Sequence, residues 1–118
     1  MKVGVIALAT GALLASSLAA TAAEYAPLDC AKARSPSEMT ICQSYALGQA
    51  EARMATLYAV ATSLVAMGQR GDIQDQQRAW LKSRDECGDH IGCLERAYAK
   101  RIADLNGVIA SVASRGPF

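Results

Sequence analysis

The run Gln76-Gln77-Arg78-Ala79-Trp80-Leu81-Lys82-Ser83-Arg84-Asp85-Glu86-Cys87-Gly88-Asp89-His90-Ile91-Gly92-Cys93-Leu94 sets a helical pattern on either side of a glycine-punctuated break, with a cysteine at each edge of the break. Upstream of it, Ile73, Gln77, Trp80, Leu81 and Arg84 share one face at helical spacing, and the glycine after Cys87 stops the pattern. Downstream, Leu94, Ala97, Tyr98, Arg101, Ile102, Leu105, Ile109 and Val112 repeat that spacing until Gly116-Pro117. No strand competes, because β-branched residues are sparse and nowhere alternate with polar ones.

Further towards the N-terminus, Gly68-Gln69-Arg70-Gly71 reads as a turn, with Asp72 as the N-cap of the third helix. A long helix precedes it, carried by Leu47, Ala50, Met54, Leu57, Tyr58, Ala61, Leu64 and Val65, capped by Ser44 and expected to end near Met67-Gly68. Before that, Ser35-Pro36-Ser37-Glu38 has the form of a capping box with proline at the first helical position, predicting a short helix to about Gln43. Residues 24–34 contain Pro27 and no helical period, so they read as an extended lead-in. Short connections favour antiparallel neighbours, which makes the expected fold an all-α, up-and-down helical bundle.

The chain opens with Lys2, an apolar run from Val3 to Leu14, and small residues ending Ala20-Thr21-Ala22-Ala23. These are the n-region, h-region and cleavage site of an export signal, with cleavage after Ala22 or, preferably, Ala23. The expected division is therefore a signal peptide at 1–23 and one helical domain at 24–118. Cys30 follows Leu28-Asp29 and lacks the small residue that precedes a lipid-modified cysteine, so no membrane anchor is expected after cleavage. Lys2 is the only charged residue of the leader, and its removal takes the net charge from +1 to zero. A neutral chain lacks the clustered cationic surplus that nucleic acid or an anionic membrane surface requires.

All four cysteines, Cys30, Cys42, Cys87 and Cys93, lie beyond the leader. An even count in an oxidising compartment reads as two disulfides. The topology gathers all four at one pole and permits cross-pairing, but Cys30–Cys42 and Cys87–Cys93 are preferred because each closes a short loop across a helix boundary. With spacings unlike those of zinc knuckles and a single histidine, no metal or other cofactor is expected.

Leu28-Asp29-Cys30-Ala31-Lys32-Ala33, Ser37-Glu38, Ile41-Cys42, Gln76 to Leu81 with Arg84-Asp85 and Cys87, and Cys93-Leu94 with Tyr98 and Arg101-Ile102 resemble the LprI-like family of small exported bacterial domains. The resemblance spans Leu28 to Leu105. It implies a lysozyme inhibitor-like protein, periplasmic or secreted, whose partner is another protein of the lysozyme kind. Two departures stand out: Ala50-Glu51 replaces the Leu-Asp usual on the long helix, and the family's namesake is lipid-anchored whereas no anchor is expected here.

Five side chains are candidates for binding. If Cys87 and Cys93 are joined, Asp89 and His90 stand on a rigid protrusion, where an imidazole suits the pair of acidic side chains in a lysozyme cleft. Arg70, between two glycines, projects from the opposite pole. Trp80 and Arg84 are one helical turn apart beside Asp85, and either form a recognition surface or pack inside, Arg84 against a carboxylate such as Glu51. Tyr58 and Tyr98 read as core residues whose hydroxyls reach the rim. No constellation for catalysis emerges, since the cysteines are committed and His90 has no nucleophile beside it. The leading expectation is an exported binder that occludes muramidases. The alternatives are an accessory module for another envelope protein, or a structural homodimer in a chain otherwise expected to be a monomer or weak dimer.

Overall fold

A computed structural model describes residues 28–116; the leader at 1–23, the lead-in as far as Pro27, and Pro117 with Phe118 lie outside the described residues. Among the described residues the chain makes one 3-10 turn, Cys30–Lys32, and four helices: α1 (Pro36–Gln43), α2 (Tyr45–Leu64), α3 (Met67–Asp85) and α4 (Ile91–Ala113), with no strand. The all-α bundle expected from periodicity is present, and so are both disulfides, Cys30–Cys42 and Cys87–Cys93.

The capping signals at the start of the domain are realised bond by bond. Ser35 Oγ accepts from the Glu38 backbone N–H while the Glu38 carboxylate accepts from the Ser35 N–H, so two otherwise orphaned donors of α1 are satisfied. Ser44 serves two helices: its N–H closes α1 and its Oγ accepts from the Leu47 N–H to open α2. The lead-in is less extended than expected, because the Asp29 carboxylate accepts from the Ala31 N–H and winds Cys30–Lys32 into its turn.

The junction between the second and third helices differs from the glycine-based reading. α2 stops at Leu64, Val65 and Ala66 take extended backbone, and α3 begins at Met67, so Gly68, Gly71 and Asp72 lie inside α3. Neither glycine has a positive φ, and a Cβ at either would meet nothing within 4 Å. They are tolerated on an exposed helical turn at about 1 kcal/mol each relative to alanine, which is not enough to end a helix whose register places Ile73 in the core. Val65 is buried and plugs the corner.

One stripe from each helix forms the interior: Ile41; Leu47, Met54 and Ala61; Ile73; and Leu94, Tyr98, Leu105 and Val112. α2 packs chiefly on α4, and α3 lies beside them. Because α3 runs back against both, the starts of α2 and α4 and the end of α3 share one pole, together with α1. The hydrogen bond from Ser37 Oγ to Asp85 Oδ1, 2.8 Å, ties α1 to the end of α3 at that pole.

Candidate functional site

The connection between α3 and α4 has the five residues that the cysteine spacing suggests, but it lies two residues earlier in the chain. α3 ends at Asp85 and α4 begins at Ile91, so Cys93 already lies in the first turn of α4. The intervening turn is held by Cys87 N–H to Arg84 O (3.0 Å), Gly88 N–H to Asp85 O (3.2 Å) and His90 N–H to Cys87 O (3.2 Å). Gly88 sits at φ +57°, a left-handed conformation that costs a side-chain-bearing residue roughly 1–2 kcal/mol. Asp89 and His90 are both exposed, and His90 occupies the N-cap position of α4 without spending its side chain on a cap. The free imidazole thus stands on a disulfide-closed turn beside exposed Ile91 rather than at the tip of a long protruding loop.

Arg70 is placed differently from the expectation. It lies in the first turn of α3, where its Nε donates to Thr62 O at 2.8 Å and Nη2 to Val65 O at 3.5 Å. Those carbonyls lie in the last turn of α2 and at its C-cap, where the helix itself supplies few donors. The guanidinium is therefore a tie across the α2–α3 corner and not a projecting group.

Trp80 and Arg84 turn inwards. Trp80 Nε1–H donates to Ala97 O at 3.0 Å and the indole meets the Tyr98 ring edge-on at 5.1 Å. The Arg84 guanidinium lies 5.7 Å from the centre of the indole. It donates through Nε and Nη2 to Asp85 Oδ1 at 3.1 and 2.8 Å, and its Nη1 is 3.7 Å from Glu51 Oε2. Glu51 also accepts from the Tyr98 hydroxyl, and Asp85 accepts from Ser37. One polar chain, Ser37–Asp85–Arg84–Glu51–Tyr98, therefore links all four helices.

Ser37, Glu51, Arg84 and Tyr98 are each at most 3 % exposed, so the chain is interior except at Asp85, whose side chain is 43 % exposed. Burial pushes the Tyr98 hydroxyl far above the ordinary tyrosine value, and the neighbouring Glu51 carboxylate pushes it further, which keeps the hydroxyl a donor. Burial pulls the Arg84 guanidinium down, but its hydrogen bond to Asp85 and the surrounding charges outweigh burial and hold it above the usual value. The hydroxyl of Tyr98 does not reach the rim as expected; it closes the network from within.

A second buried arginine, Arg101, donates through Nε to Gln77 Oε1 (2.8 Å) and through Nη2 to Ile73 O (3.3 Å), and Gln77 in turn donates to Met54 Sδ (3.2 Å). Ser37 and Gln77 are the partners that a reading of the sequence overlooks. In the sequence Ser37 belongs to the capping signal and Gln77 to a helix face, and both fall in the stretches that carry the family resemblance, but neither spacing marks them as partners in a buried network. The residues that are legible as a pattern, Trp80, Arg84, Asp85, Tyr98 and Arg101, are mostly occupied with each other. The exposed candidates are Asp89 and His90.

Among curated proteins and solved structures nothing matches the chain. A family model does: the one described as lysozyme inhibitor LprI matches residues 30–105, well over half of the chain. That span runs from the first cysteine through every member of the buried network to the core residue Leu105 of α4, and on this match the chain belongs to the lysozyme inhibitor LprI family.

Proposed function

We propose that the protein is exported, loses residues 1–23, and acts in the periplasm or outside the cell as an inhibitor that occludes muramidases of the lysozyme type. The observation that carries this reading is the family match over residues 30–105. Two disulfides fit an oxidising compartment, and no helix of the described residues is long and apolar enough to cross a membrane.

The contact is assigned to the turn between α3 and α4. A lysozyme cleft holds two carboxyl groups, one kept protonated by its surroundings. The exposed imidazole of His90 offers a hydrogen-bonding group to that pair, and Asp89 beside it offers an acceptor to the rim. Because the turn is closed by Cys87–Cys93, little conformational freedom remains to be lost on binding.

The test is direct. The oxidised domain beginning at Glu24, in micromolar excess, is expected to slow lysis of cell-wall suspensions by at least one lysozyme class, and His90→Ala to weaken that inhibition by about tenfold or more. Full activity of every lysozyme class tested would remove the reading. Unchanged inhibition by His90→Ala would keep the function but move the contact elsewhere.

A further inference from the structure

Of the two buried arginines among the described residues, Arg84 has carboxylates within ion-pair distance and Arg101 has none. Arg101 is 3 % exposed and is held by two neutral acceptors, Gln77 Oε1 and Ile73 O. Its Nη1 has no hydrogen-bond partner among the described residues. No buried side-chain nitrogen there is left unbonded, so Nη1 keeps some contact with solvent.

Arg101 lines a groove of about 400 Å³ between α3 and α4, together with Trp80, Lys100, Asp104, Gln76 and Ser83. Burial pulls the Arg101 guanidinium below its ordinary value, and Asp104 and Tyr58 only partly restore it. A cation withdrawn from water without a bonded counter-ion is held at a cost, and an anion arriving in the groove would relieve it.

The other walls narrow the choice of anion. The Trp80 N–H is already spent on Ala97 O, so the indole contributes an apolar surface fixed in place. Gln76 and Ser83 make no side-chain hydrogen bonds among the described residues and remain available to hydroxyl or amide groups. Lys100 adds a second cation, and its bond to Asp104 Oδ2 at 2.8 Å neutralises the one carboxylate in the groove. The volume suits one sugar ring better than a protein segment.

We propose that this groove binds a small saccharide carrying a carboxylate, with the carboxylate on Arg101 Nη1 and Lys100, the ring against Trp80, and its hydroxyl or amide groups on Gln76 and Ser83. The site lies along the α3–α4 seam and does not depend on the lysozyme reading, which concerns the turn at the pole.

Trp80 is the only tryptophan in the chain, so its emission reports directly on the groove. The oxidised protein is titrated with N-acetylmuramic acid, and in parallel with N-acetylglucosamine and with lactate, which are its ring and its acid separately. A saturable change with N-acetylmuramic acid, at least about tenfold weaker with either part alone, is expected. Lys100 and Asp104 are exposed, so Lys100→Ala and Asp104→Asn leave the fold intact. They are expected to act in opposite directions, the first weakening binding by about threefold or more and the second tightening it, a pattern that a purely structural role would not produce. No saturable change would overturn the proposal. So would an equal response to lactate, marking an unselective anion site, or to N-acetylglucosamine, marking a site blind to the carboxylate. Tighter binding of an acidic peptide, or shifts of the same sign in the two variants, would overturn it equally.

Discussion

At the cysteine-bearing pole, the end of α3 and the starts of α2 and α4 meet α1, and the same pole carries two disulfides, a complete capping box and the polar chain from Ser37 to Tyr98. At the opposite end α2 and α3 are joined by two residues, α3 starts without a side-chain cap, and the corner is held by Arg70 and by Val65. Exposed Leu64 and Met67 sit there with no covering partner among the described residues. A domain of this size has a modest core and cannot hold every part equally tightly. Here the covalent and polar restraints are concentrated where the exposed turn bearing Asp89 and His90 is presented. The difference between the ends makes one a rigid platform and leaves the other to ordinary helix packing.

Arg84→Met is the severest way to break that contrast. It leaves the Glu51 carboxylate buried with only Tyr98 and should cost about 3–5 kcal/mol in urea unfolding. Adding Glu51→Leu should recover only part of the loss, since it removes the unpaired charge but leaves the buried Tyr98 hydroxyl without its acceptor. A single-variant cost below about 1 kcal/mol would mean the network does not hold the pole.

Opening the disulfides should come next. Cys30–Cys42 spans 12 residues and Cys87–Cys93 spans 6. Their paired alanine variants should lose roughly 3 and roughly 2 kcal/mol respectively, measured by thermal unfolding against the oxidised parent. Equal melting of parent and variants would show that packing alone braces the pole.

Tyr98→Phe should cost about 2 kcal/mol, because it removes a hydrogen bond to a buried carboxylate. It also carries a pH signature. The raised hydroxyl of Tyr98 keeps its proton in the folded state while the unfolded chain releases its own near pH ~10. The resulting stability is present in full below that value and is lost as the pH climbs towards the raised native one. Tyr98→Phe should therefore flatten the alkaline fall of the unfolding free energy, and an unchanged slope would contradict the assignment.

Arg70→Ala tests the other end. It should cost only about 1 kcal/mol, and amide exchange should quicken around Thr62 to Val65 while the cysteine pole keeps its protection. Smallest of all, His90→Ala should change stability by less than about 0.5 kcal/mol, because the side chain caps nothing. That separates its effect on inhibition from any effect on folding.

The sequence displays most of the bundle because helical periodicity and capping are local. Ser35, Glu38 and Ser44 act within four residues of their own positions, and a seven-residue window is enough to see them. The corner between α2 and α3 departs from its local signals for the opposite reason. Glycines mark a turn only when the backbone needs a positive φ, and whether Gly68 and Gly71 do depends on where Ile73 and Val65 must be buried. The candidate site divides in the same way. The disulfide pairing and the exposed turn were legible from spacing, and the Arg84–Glu51 pairing was foreseen as one option. The Ser37–Asp85 bond joins positions 48 residues apart and the Tyr98–Glu51 bond positions 47 apart, separations at which no local pattern operates.

By itself, then, the chain's order of residues determined four helices, the serine caps of the first two, the cysteine pairing and the family, all of which follow from neighbours in sequence or from a recognisable set of them. Only the tertiary structure decided which arginine is paired and which is not, and that Arg70 closes a corner instead of projecting from one. Those outcomes depend on which groups are removed from water together, and that is settled when the helices pack and not before.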